Sequence, residues 1–156
     1  MSDSSLKERE GNEKRSELAV QSFLQSMNCA QAVVEVYALE TGISEETARR
    51  IAAAFPAGMG CGEICGAVSG ALMVLGLRYG KTKPKDSKAD KQTFAKAAEF
   101  VAEFRKRHGS LQCSRLLGVD MGTREGLEEA RSKGYFSKIC PQHVRSAVEI
   151  LDEIAE

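Results

Sequence analysis

The chain has 156 residues, which is enough for one domain with a buried core. Its 22 Lys and Arg residues equal its 22 Asp and Glu residues, so the formal net charge is zero, and Trp is absent. This balance argues against a basic nucleic-acid-binding surface and gives no reason to expect a membrane as partner.

The first fifteen residues are polar and charged, and no apolar segment follows them directly. They do not resemble a secretory signal, so we expect a cytoplasmic location. We predict a disordered tail over residues 1–15 and a single domain over residues 16–156.

Helical periodicity dominates the rest of the chain, and no alternating run typical of a strand is found. The predicted helices cover about residues 16–27, 30–40, 44–55, 62–79, 91–107, 125–133 and 141–154. Gly42 is expected to end one helix in the left-handed conformation, and Ser44 and Thr123 are expected N-caps. Ile51 and Phe94 are placed on inward faces.

The segment over about residues 62–79 is the most apolar part of the chain. It carries no charge between Glu63 and Arg78, so we expect a helix that is buried on nearly all sides. The apolar run Ala67 to Leu77 is far shorter than the ~20 residues that a membrane span needs. We therefore predict an all-α fold, a compact bundle of about six helices around this central helix.

Three glycines recur every four residues at the start of this segment: Gly62, Gly66 and Gly70. In a helix they share one face, although glycine costs roughly 1 kcal/mol relative to alanine there. Either another helix backbone lies against that face or a non-protein group does. The three glycines are therefore candidate cofactor-binding residues.

The five cysteines lie in four separate segments and are Cys29, Cys61, Cys65, Cys113 and Cys140. In a cytosolic chain such a set favours metal binding or redox chemistry. The alternative for any single cysteine is a small buried hydrophobe. All except Cys113 lie near predicted helix starts, where the helix dipole and free N–H groups are expected to lower a thiol pKa.

The spacing of Cys61 and Cys65 puts two thiols on one helical face, which suits two ligands of one metal ion. His143 follows Cys140 by three residues and could add a ligand, although we interpret His143 as a surface histidine. His108, near a helix end, is interpreted as a contact to the helix dipole.

The cysteine pattern resembles the redox-active proteins known as the C_GCAxxG_C_C family. The central motif matches Cys65-Gly66-Ala67-Val68-Ser69-Gly70, and the other landmarks match Cys29, Cys113 and Cys140. The resemblance covers roughly residues 18 to 154. Cys61 is an additional cysteine relative to that pattern.

The resemblance implies a redox role and a partner protein, an oxidoreductase or a transporter. We hypothesise that Cys29, Cys65, Cys113 and Cys140 converge beside the glycine face. They would form a four-thiolate metal or iron–sulfur site, with Cys61 as a further candidate ligand, or two redox-active thiol pairs.

Three functions remain open at this stage. The first is a redox protein whose thiolates bind a metal ion, an iron–sulfur cluster or another cofactor, or transfer electrons to a partner. The second is a thiol–disulfide oxidoreductase with Cys65 as nucleophile and Cys29 or Cys61 as resolving thiol. The third is a helical interaction module with structural cysteines, whose glycine face is a packing or homo-oligomer seam. The sequence identifies neither the cofactor nor a reaction.

Overall fold

The computed structural model describes the backbone of residues 3–155 and the side chains of residues 14–155. In chain order the helices are α1 (Asp3–Leu24), α2 (Cys29–Glu35), α3 (Ala38–Thr41), α4 (Glu45–Ala52), α5 (Gly66–Tyr79), α6 (Ser87–His108), α7 (Cys113–Leu117), α8 (Arg124–Ser132), α9 (Tyr135–Lys138) and α10 (Cys140–Ala155). No helix in this range is long and apolar enough to cross a membrane.

The all-α prediction is confirmed, because the described chain contains helices and only an isolated β-bridge. The helices are more numerous than the six expected, since several of them span only four or five residues or split a predicted helix. The helix predicted over residues 30–40 divides at Tyr37, whose φ of −107° and ψ of 0° are not helical.

Helix α1 begins at Asp3 and so includes most of the segment predicted as a disordered tail. Arg15, at the end of that segment, forms ion pairs with Glu40 and Asp152. These contacts link the segment to α3 and α10. The boundary between a tail and a domain at residue 16 stays a prediction.

Two inward-facing assignments were wrong. Ile51 is 51% exposed and Phe94 is 74% exposed. Helix α4 buries the small Ala48 and Ala52 instead of Ile51, and α6 buries Phe100, further along the helix. Helical periodicity therefore indicated where α4 and α6 lie, but it did not identify which large apolar side chains each of these helices buries.

The central helix is α5, and it packs against α2, α6 and α10. It begins at Gly66 rather than near residue 62. The residues before it form a tight turn, Gly58–Gly62. Met59 within this turn has a positive φ of 59°, and Ala57, immediately before the turn, has one of 55°. Left-handed backbone disfavours helix propagation in L-residues, so the helix starts only after this turn.

Glycine allows α5 to lie directly on the backbone of α2. A Cβ atom built on Gly70 would lie 2.8 Å from the carbonyl oxygen and 3.2 Å from the Cα atom of Ala30. The α2 residues that face this contact, including Ala30 and Val33, are fully buried. The glycine repeat therefore serves helix packing at this position, which is the first of the two reasons that the sequence left open.

A buried polar cluster joins α10 to the opposite side of the core. The Tyr37 hydroxyl donates a hydrogen bond to Asp152 Oδ1 at 2.9 Å. The guanidinium groups of Arg15 and Arg78 lie 4.7 Å and 4.8 Å from the centre of the Tyr37 ring. The ion pair with Arg15 and the hydrogen bond from Tyr37 offset only part of the cost of burying Asp152, because burial still raises the pKa of this carboxyl and its Oδ2 has no hydrogen-bond partner among the described residues.

We expect Gly70→Ala to destabilise the protein by about 1–3 kcal/mol, because the added methyl group would clash with the backbone of α2. Gly76→Ala is the matched control in the same helix, since no atom lies within 4 Å of a Cβ built there. The control should gain up to about 1 kcal/mol from helix propensity. Urea unfolding measures both changes, and equal effects of the two substitutions would contradict the close contact.

Candidate functional site

Four cysteines stand at the starts of four helices. Cys29, Cys113 and Cys140 are the first residues of α2, α7 and α10, and Cys65 is the N-cap residue of α5. For α2 the local reason is clear, because Asn28 and Gln31 form a capping box immediately around Cys29. The sequence predicted helix starts at three of these positions and missed Cys113.

These four thiols face one pocket of about 490 Å³. Cys29 interacts electrostatically with the other three cysteines, Cys140 with Cys65 and Cys113, and Cys113 with Cys65. All six pairs of thiols are therefore close enough to influence one another's ionisation. The predicted convergence of the four family cysteines is found in the fold.

A short backbone pairing fixes two of the thiols relative to each other. The N–H of Cys65 donates to the carbonyl oxygen of Leu111 at 2.8 Å, and the N–H of Cys113 donates to that of Glu63 at 2.6 Å. These bonds flank the isolated antiparallel bridge between Ile64 and Gln112. The starts of α5 and α7 are thereby held side by side.

The four pocket cysteines fall into two pairs according to the hydrophobic core against which each one packs. Cys65 belongs to the main hydrophobic core, and Cys29 packs against it. Cys113 belongs to a second, smaller core, and Cys140 packs against that one. Each pair contains one buried residue, Cys65 or Cys113, and one residue of intermediate exposure, Cys29 or Cys140.

The predicted lowering of the thiol pKa values is wrong for Cys29, Cys65 and Cys140. Burial raises the pKa of Cys113 and of Cys140 to about 12, with a smaller contribution from neighbouring thiols. Burial likewise raises the pKa of Cys29 and of Cys65, and hydrogen bonds from the N–H groups at the starts of their helices offset only part of the increase. The pocket thiols are therefore protonated at neutral pH.

Protein atoms occupy the space beside the candidate cofactor-binding glycines. A Cβ on Gly66 would lie 2.3 Å from Cys29 Sγ, and one on Gly62 would lie 2.3 Å from Ser114 Oγ. Gly62 has a φ of +76° and lies in the turn, so it does not share a helical face with Gly66 and Gly70. The geometry gives these glycines a packing role and does not support cofactor contact.

Cys61 lies apart from the other four cysteines. It is exposed, its thiol donates to the carbonyl oxygen of Gly58 at 3.2 Å, and it does not line the pocket. The structure thus separates the two thiols, Cys61 and Cys65, that the sequence placed on one helical face.

The arrangement does not fit the hypothesis of a four-thiolate site for one metal ion. Over the described side chains, no group of three or more His, Cys, Asp or Glu residues is placed to hold a metal ion. Zinc–thiolate bonds of ~2.3 Å would require the sulfur atoms to surround one point closely. The pocket leaves more space than one ion fills.

Two histidines pack against each other beside the pocket, and one of them, His143, lines it. His143 is 6% exposed and lines the pocket, so its interpretation as a surface histidine was wrong. The ring of His108, the last residue of α6, meets it edge-on with ring centres 4.8 Å apart. His108 Nε2 is buried and has no hydrogen-bond partner in the described part of the chain. Burial lowers the pKa of His143 to about 4, so this imidazole is neutral at pH 7.

The burial of His143 has a signal in the sequence that its interpretation as a surface residue overlooked. His143 precedes Ala147, Ile150 and Ile154 by four, seven and eleven residues, which places it on the apolar face of α10. A histidine in register with a buried face is itself expected to be buried. The packing of His108 against it depends on the approach of α6 to α10 and has no local signal.

We expect Cys61 to react much faster than the other cysteines when native protein is treated with iodoacetamide at pH 7.5. Its thiol is exposed, whereas the pocket thiols are shielded and protonated. Mass spectrometry after a short exposure should find one modified residue. In Cys61→Ser, rapid labelling should disappear, and fast labelling of Cys65 or Cys113 would contradict the structure.

We also expect acid to destabilise the fold through His143. Its folded pKa of about 4 is below the ordinary 6.5, so between these pH values the unfolded chain binds a proton that the folded chain does not. The free energy of unfolding should therefore fall by up to about 3 kcal/mol as pH drops through this window. Urea unfolding at pH 7, 5.5 and 4 measures the slope. His143→Gln should show a shallower slope, and an unchanged slope would contradict the assignment.

Comparison with known proteins agrees with the cysteine geometry. No curated protein and no solved structure matches the chain. Residues 27–154 match the model of the family described as "Putative redox-active protein (C_GCAxxG_C_C)", and this range includes all four pocket cysteines. The match spans most of the 156 residues. The chain therefore belongs to the C_GCAxxG_C_C family.

Proposed function

We propose that this chain is a thiol redox protein in which Cys29 with Cys65, and Cys113 with Cys140, form two dithiol pairs. Each pair would give up two electrons when it becomes a disulfide. The observation that carries the proposal is the convergence of four mutually interacting thiols on one pocket. The division of the thiols between two cores supports this choice of pairs.

The exposure of the thiols suggests which member of each pair reacts first. A thiolate must reach the disulfide that it attacks, so the partly exposed Cys29 and Cys140 are the attacking thiols. The buried Cys65 and Cys113 then resolve the mixed disulfide. For the first pair this reverses the roles suggested by the sequence, in which Cys65 was the nucleophile. Cys61, outside the pocket, has no part in the proposal.

The proposed oxidant is a disulfide, R–S–S–R′. Cys140 loses its proton to a base in solution, and its thiolate attacks one sulfur atom of the oxidant. The S–S bond breaks, and R′S⁻ leaves with the bonding electrons and takes up a proton from solution. Cys113 then displaces RS⁻, which takes the proton of Cys113. The protein gains one disulfide, the oxidant becomes two thiols, and no proton or electron is left over.

Raised thiol pKa values would suit a protein that holds electrons until its partner arrives. A thiol with a pKa of about 12 is almost entirely protonated at pH 7 and reacts slowly with random oxidants. His143 lines the same pocket, and its pKa of about 4 makes it a far weaker base than the Cys140 thiolate, so it is not assigned the thiol proton. A cytoplasmic location, which would keep such thiols reduced, and an oxidoreductase partner are part of this proposal.

The test is anaerobic titration of the reduced protein with a redox buffer of oxidised and reduced dithiothreitol. Of the five thiols in the sequence, four should disappear in two-electron steps and one, Cys61, should remain. Cys61→Ser is the matched control and should lose all four of its thiols. Cys29→Ser should retain one oxidisable pair, Cys113 with Cys140.

Two outcomes would contradict the proposal. Thiols that stay reduced at every potential would favour the helical interaction module with structural cysteines. Elemental analysis of the same preparation covers the cofactor hypothesis. Stoichiometric iron or zinc that disappears in Cys65→Ser would establish a metal ion or an iron–sulfur cluster in place of disulfide chemistry.

A further inference from the structure

The walls of the cysteine pocket are largely hydrocarbon. Phe23 and Leu116 pack against the main core and Phe136 packs against the second core, and Leu24 and Pro56 also line the pocket. A volume of about 490 Å³ falls within the range of small-molecule sites. Such walls favour an apolar ligand, because burying its surface gains about 25 cal/mol per Å².

Two polar side chains that line the pocket, Asn28 and Ser137, are already hydrogen-bonded within the protein. Asn28 accepts a hydrogen bond from the N–H of Gln31 at 2.9 Å and donates one to the carbonyl oxygen of Ala53 at 3.1 Å. The Ser137 hydroxyl donates to the carbonyl oxygen of Gly134 at 3.0 Å. An inserted peptide would leave many of its own N–H and C=O groups without partners here, so these walls do not suit a peptide.

The charge that faces the pocket has a single sign. Arg131, at the end of α8, is the one charged residue among the described residues that line it, and no Asp or Glu lines it. Arg131 is exposed and forms no ion pair with any described residue. The starts of the long helices α5 and α10 also open at this pocket, and helix starts carry partial positive charge.

We infer that the pocket binds a small apolar organic molecule that carries one negative charge, with its carboxylate against Arg131 and its hydrocarbon part between the two cores. The four thiols line the same space, so a molecule of this class that contains a disulfide bond would be the electron acceptor. The choice of electron acceptor rests on the proposed function, whereas the ligand class does not.

Binding of octanoate and of neutral octanamide to the reduced protein tests the ligand class by calorimetry. The two probes share one hydrocarbon chain and differ in charge. The native protein should bind octanoate about fivefold more tightly, as expected for one partly exposed ion pair. In Arg131→Gln the preference should disappear. Arg124→Gln is the matched control, because Arg124 lies on the same helix, pairs with Glu128 and does not line the pocket.

Equal affinity of the two probes for the native protein, or a preference that survives in Arg131→Gln, would overturn the inference, and so would the absence of binding at millimolar concentrations. Equilibration of the protein thiols with lipoate and with neutral lipoamide then tests the electron acceptor. Selective octanoate binding without any thiol exchange with lipoate would refute the proposed function and leave the ligand class intact. Thiol exchange that proceeds equally with lipoate and lipoamide, together with equal binding of octanoate and octanamide, would refute the ligand class and leave the proposed function intact.

Discussion

The contact between α2 and α5 is the constraint on which the pocket depends. Cys29 Sγ occupies the space where a side chain on Gly66 would begin, only 2.3 Å from the expected Cβ position. One turn later, Gly70 lets the backbone of Ala30 approach closely as well. Helix backbones can come this near only where side chains are absent. The glycines of the Cys65–Gly70 motif thus make room for the thiol of Cys29 and for the backbone of Ala30, and their role is steric.

Two opposing effects set the ionisation of the pocket thiols, and their magnitudes differ. A helix start stabilises a negative charge by about 0.3–1 kcal/mol at an exposed site. A rise in the pKa of Cys113 from 9.0 to about 12 corresponds to a penalty on the order of 4 kcal/mol against the thiolate. Desolvation therefore outweighs the helix dipole, although every pocket cysteine lies at a helix start. The sequence predicted correctly that Cys29, Cys65 and Cys140 lie at helix starts, but it predicted their ionisation wrongly.

Local signals explain what could be predicted from the sequence. Gly42 is left-handed and Ser44 and Thr123 cap their helices, as expected, because each depends on a hydrogen bond or a φ value within a few residues. The start of α5 was wrong because the four-residue glycine repeat imitates a helical face across the turn before it. The walls of the pocket, such as Phe136, and the distance of Cys61 from the other thiols depend on how two cores meet, and single-sequence periodicity contains no information on that.

The meeting of two cores also bears on the choice between the proposed dithiol pairs and a site for one metal ion. Cys65 and Cys29 are held by the main core, whereas Cys113 and Cys140 are held by the second one. A bound ion would have to draw together ligands that are fixed to separate units, and rigid interiors resist such shifts. Within one pair, disulfide formation requires movement inside a single core only. The bridge at Ile64 and Gln112 holds the starts of α5 and α7 side by side and so keeps the two pairs adjacent.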